Sequence, residues 1–69
     1  MIKLPSSNKI IKGLIKHGFR LKSQKGSHLK YTTPEKTVIV PANKKEIPLG
    51  TLRSISRQSG IQYDEFSNQ

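Results

Sequence analysis

Between Phe19 and Pro41 the chain falls into three short runs whose side chains alternate in character. Phe19-Arg20-Leu21-Lys22-Ser23-Gln24 alternates apolar and polar, as does His28-Leu29-Lys30-Tyr31-Thr32-Thr33. Thr37-Val38-Ile39-Val40 is β-branched throughout and stops at Pro41, which has no N–H to give a ladder. A period of two is the mark of a strand buried on one side only. Lys25-Gly26 predicts a tight turn with Gly26 at positive φ, and Pro34-Glu35-Lys36 predicts a second. Three strands linked this closely form a meander.

Helical periods flank the strands. Ile10, Ile11, Leu14 and Ile15 form one apolar stripe, Ser6 or Ser7 stands where a cap belongs, and Gly18 follows. A helix is expected from about Ser7 to His17. After the polar loop 42–48, a second helix is expected from about Leu49 to Ser59, closed by Gly60, with Leu52 and Ile55 inward and Ile61 over the core. Tyr63-Asp64-Glu65-Phe66 reads as one further helical turn that pins Tyr63 and Phe66. The expected fold is α+β, in the order α-β-β-β-α, with a three-stranded antiparallel sheet and both helices on one face. A single domain 1–69 is expected, its ordered core at about 6–61 and a C-terminal tail at 62–69.

A chain of 69 residues has a small core. It has no cysteine, so neither a disulfide nor a thiolate zinc site supplements that core. Apolar runs fall far short of the roughly 20 residues a membrane span needs. Met1-Ile2-Lys3-Leu4-Pro5 lacks the apolar region of a signal peptide, so a cytoplasmic location is expected. Thirteen Lys and Arg against four Asp and Glu give a formal charge of +9. So large an excess repels itself in a compact fold and points to a polyanionic partner. Nucleic acid ranks above a membrane surface, because the lysines are spread along the chain and do not oppose one apolar stripe.

Alternation predicts where the cations go. With Phe19 and Leu21 inward, Arg20, Lys22 and Gln24 point outward; with Leu29 and Tyr31 inward, His28, Lys30 and Thr32 do. The outer face of such a sheet meets solvent. His28 is therefore expected on an open face beside Arg20, Lys22 and Lys30. Lysines hold phosphate, whereas an imidazole, which ordinarily titrates near pH 6.5, also moves protons.

Gly26-Ser27-His28 after a basic strand, then Val38-Ile39-Val40-Pro41, then Gly50-Thr51-Leu52-Arg53-Ser54-Ile55 with Gly60-Ile61, resembles the HicA family of toxin–antitoxin ribonucleases. The likeness extends from Lys3-Leu4-Pro5 to about Phe66. It implies a fold like that of double-stranded RNA-binding domains. It also implies a ribosome-independent mRNA interferase whose catalytic histidine is His28, neutralised by a HicB-type antitoxin. Leu29 stands where many relatives carry a second histidine or another polar residue.

The residues are consistent with metal-free chemistry. Glu35, Glu46, Asp64 and Glu65 form no evident pair to hold a divalent ion, and no cofactor is expected. RNA supplies its own nucleophile, the 2′-OH, so His28 could act as base or acid while Lys22, Lys25 or Lys30 stabilises charge. Gly26 serves the turn, and the Ser27 hydroxyl bonds phosphate or the turn backbone. Ser27 has no Asp or second His to complete a triad. His17 reads as a helix C-terminal group. Tyr31 belongs to the core, Lys44-Lys45 to a basic loop, and Arg53 and Arg57 form a ridge on the second helix. Two other readings remain: a non-catalytic RNA-binding module of the double-stranded-RNA-binding type, and a helix-turn-helix DNA binder. The second needs adjacent helices, and here three strands lie between them.

Overall fold

The structure, a computed structural model, describes residues 3–67. Its elements are α1 (Ser7–Lys16), β1 (Arg20–Lys25), β2 (His28–Thr32), β3 (Thr37–Pro41), α2 (Leu49–Ser59) and α3 (Tyr63–Ser67). The fold is α+β, an open antiparallel sheet in the order β1-β2-β3 with helices over one side.

Local chemistry explains the helix limits. Ser6 is the N-cap of α1, its side chain accepting from the Lys9 N–H at 3.2 Å. The helix ends at Lys16, and Gly18 leaves it at φ 88°. Helix α2 has the expected bounds, Leu49–Ser59, and Gly60 closes it in the left-handed region at φ 76°. The Lys36 ammonium, from the β2–β3 turn, donates to the Ser59 carbonyl at 3.1 Å. That places a cation at the negative end of α2.

Strands β2 and β3 alternate between exposed and buried, and Leu29, Tyr31, Val38 and Val40 form the sheet's share of the core. Ile10 and Leu14 of α1, Leu52 and Ile55 of α2, and the loop residues Ile47 and Ile61 pack with them. Both α1 and α2 lie against β3, and α3 touches both helices. Phe66 on α3 is fully buried and joins this core. The Tyr63 side chain, expected to join it, lies outside what the structure describes.

Two apolar expectations fail. Ile15 is 57% exposed, so it lies outside the buried stripe that Ile10 and Leu14 define. Leu21 is 52% exposed, although its pairing with Tyr31 turns it toward the helix side. The helices pack over β3, and β1, at the far edge, is exposed along its whole length.

The second serine of the α1 cap region has a separate task. Ser7, 2% exposed, donates its hydroxyl to the Pro41 carbonyl at 2.7 Å and accepts from the Lys44 N–H at 2.9 Å. It ties the start of α1 to the end of β3. Ser7→Ala leaves two partly buried backbone groups without these partners and should cost about 1–3 kcal/mol by urea denaturation. Phe66→Ala should cost about 3–5 kcal/mol in the same assay, a large share of the stability of so small a domain.

Candidate nucleic-acid interface

The site begins with the β1–β2 turn. Lys25 pairs directly with His28, leaving Gly26 and Ser27 as a two-residue loop. Gly26 has φ 60°, while no positive φ occurs at Ser27, the pattern of a type II′ turn. Past Pro41, the Ala42 N–H donates to the Ser27 carbonyl at 2.7 Å, so the loop is fastened from the β3 side.

Strand register then decides which side chains share the open face. Three rows cross the sheet: Lys25–His28–Pro41, Ser23–Lys30–Ile39, and Arg20–Thr32–Thr37. Paired residues across such a ladder have Cβ atoms about 4.5–5.5 Å apart, and diagonal neighbours lie about 7–8 Å apart. His28 is thus opposite Lys25, with Ser23 and Ile39 on its diagonals and Lys30 two residues along its own strand. His28, Lys25 and Lys30 are all exposed. Together with Ser23, Leu29 and Ile39 they line a shallow concavity of about 460 Å³.

A bulge separates this arrangement from simple alternation along β1. Register shifts between Leu21 and Ser23, so Lys22 is the extra residue of β1. One inserted residue reverses the facing of everything after it. Gln24, expected on the open face, instead pairs with Leu29 on the helix side, and its amide donates to the Gly26 carbonyl at 3.2 Å. Lys25 and Ser23 take the open face in its place. Lys22 lies at the bulge and does not line the concavity, and neither do Gly26 and Ser27. Arg20 lies on the same face but in the far row, where it lines a second concavity with Gly18, Thr32, Thr33 and Pro34.

The other sequence candidates sit elsewhere. The His17 Nδ1 donates to the Gly13 carbonyl at 2.9 Å, and its Nε2 lies 3.8 Å from a Glu65 carboxylate oxygen. Both nitrogens face helical partners rather than the sheet. Lys44 and Lys45 flank the start of α1, lining a hollow with Ser6, Ser7, Asn8 and Asn43. Arg53 and Arg57 are exposed on α2. Glu35 is in the β2–β3 turn, Glu46 in the loop before α2, and Asp64 and Glu65 on α3. Among the described residues, no group of three His, Asp or Glu side chains could hold a metal ion. Nor, among the described residues, is any helix long and apolar enough to cross a membrane.

Over residues 7–61 the chain matches the family described as HicA toxin of bacterial toxin–antitoxin. The chain belongs to the HicA toxin family. No curated protein sequence matches it. The HicA match takes in the whole sheet and both long helices, and it ends at Ile61, before the α3 segment that buries Phe66.

Ser23 and Ile39 are the site residues that sequence reasoning did not single out. The bulge that turns Ser23 outward has no residue signature, and Ile39 is hidden in a run of β-branched residues. Deleting Lys22 removes the bulge without changing any pairing on either side of it. That variant should fold, lose at most about 1 kcal/mol, and keep the cross-strand Lys25–His28 contact in a nuclear Overhauser spectrum. Loss of that contact would mean that the bulge itself holds the register.

Proposed function

We propose that this chain is the endoribonuclease of its toxin–antitoxin pair. It cleaves mRNA independently of the ribosome, by metal-independent acid–base catalysis at His28, and a HicB-type antitoxin neutralises it in the cytoplasm. The exposure of His28 opposite Lys25 and beside Lys30 carries the reading. Scattered carboxylates make a two-metal mechanism a poor fit, whereas RNA brings its own nucleophile.

In the proposed reaction, the 2′-oxygen attacks the adjacent phosphorus as a base removes its proton. The P–O5′ bond breaks, and an acid protonates the departing 5′-oxygen. A 2′,3′-cyclic phosphate and a 5′-hydroxyl result. His28 performs one of the two proton transfers. Lys25 and Lys30 stabilise the charge that builds on the non-bridging oxygens of the phosphorane. Lys22, at the rim of this face, contacts the RNA backbone. Gly26 shapes the turn, and the Ser27 hydroxyl bonds a phosphate beside it. DNA has no 2′-OH and is not cut. An antitoxin that covers His28 and the cationic face competes with RNA for the same charges.

His28→Ala should lower cleavage about 10²- to 10⁴-fold, the usual worth of a general acid or base. Affinity for an uncleavable 2′-deoxy analogue should stay within about threefold, because lysines supply the binding. EDTA should leave wild-type cleavage unchanged. A passive RNA-binding module would cut nothing even as wild type, and inhibition by a chelator would overturn the metal-free scheme.

A further inference from the structure

The concavity beside His28 is not uniformly cationic. Its outer wall is Ile39, which lies in the same row as Lys30 and diagonal to His28. Phosphate binding needs no such residue. Ile39 is 38% exposed on the solvent side of the sheet, while its neighbours Val38 and Val40 are fully buried on the other side. The Ile39 N–H, on the free edge of β3, donates to the Gln58 side chain of α2 at 3.4 Å. A volume of about 460 Å³ is far more than one phosphate group fills. It lies within the range of roughly 300–1,000 Å³ typical of sites for small organic ligands.

We propose that Ile39 forms a nucleoside seat, an apolar surface against which the base or ribose next to the cleaved phosphate packs. This rests on the reading of the chain as a ribonuclease. A nucleotide is half anion and half flat apolar body. The open face presents the two matching surfaces side by side: Lys25 and Lys30 for the phosphate, and Ile39 for the nucleoside. Packing there adds affinity for the RNA strand that lies beside His28. Ile39 is a binding residue in this scheme and takes no part in proton transfer. The same contact exists before and during reaction, so it lowers KM and leaves kcat alone.

The test uses a short single-stranded RNA whose cleavage site has been mapped, with matched versions made abasic on either side of the cut. Ile39→Ala should raise KM about tenfold with kcat within about twofold, and Ile39→Val should restore most of the loss. On the abasic RNA that weakens wild type, Ile39→Ala should bring no further loss. Wild-type protein alone gives an arm that depends on no variant's folding: one of the two abasic RNAs should raise its KM by a similar factor.

Equal KM for wild type and Ile39→Ala would overturn the seat. So would an Ile39→Ala loss of the same size on intact and abasic RNA, which would mark a purely structural role. An Ile39→Ala protein that cuts normally but binds its co-expressed antitoxin more weakly would assign the residue to protein docking and overturn the proposal. A wild-type protein that cuts no RNA, or a His28→Ala protein that cuts as well as wild type, would remove the ribonuclease reading and the seat with it.

Discussion

The sheet is covered on one side only, and the chemistry of this domain follows from that constraint. Leu29, Tyr31, Val38 and Val40 turn to the helices because a chain this short has few other apolar groups to bury. Every alternate residue of β2 and β3 is then committed to solvent. His28, Lys30 and Ile39 are exposed for the same geometric reason that their neighbours are buried. The hydrophobic effect chooses the inner set, and the pleat leaves the outer set to solvent.

The outer face of β2 and β3 would be poor in charge without β1. Strand β1 is exposed from end to end, contributing little to the core and much to the cationic surface. The two-residue turn sets Lys25 opposite His28 and Ser23 opposite Lys30, and the bulge at Lys22 lets Leu21 and Arg20 keep their own faces beyond it. The β3 side is held more firmly. Ser7 anchors the Pro41 carbonyl, Ala42 ties back to Ser27, and Gln58 reaches the Ile39 N–H. The histidine thus stands between an exposed basic strand and a strand packed against both long helices.

Most of the architecture was legible because its signals are local. Gly60 ends α2 where a left-handed residue is needed, and Ser6 caps α1 by an ordinary side-chain hydrogen bond. The alternation in β2 and β3 is unbroken, so their two faces could be read directly and His28 could be placed on the outer one. Legibility failed in β1. A bulge inserts a residue without altering composition, and it reversed the facing of Gln24 and Lys25 relative to simple alternation. Leu21 was misread for a related reason: its parity was right, but which strand the helices cover is a tertiary matter. Ile39 escaped notice because a β-branched run looks like core until its pairing with Lys30 is known.

The claim on which the rest depends is that RNA lies across the open face at His28, and one titration tests it directly. Protein labelled with ¹⁵N on backbone and imidazole nitrogens would be titrated with a 2′-deoxy-substituted, uncleavable RNA. Shifts centred on the His28 ring and on the backbones of Ser23, Lys25, Lys30 and Ile39, with the α2 arginines unmoved, are the expected result. Shifts centred on Arg53, Arg57 or the Lys44–Lys45 loop, with the His28 ring silent, would contradict it.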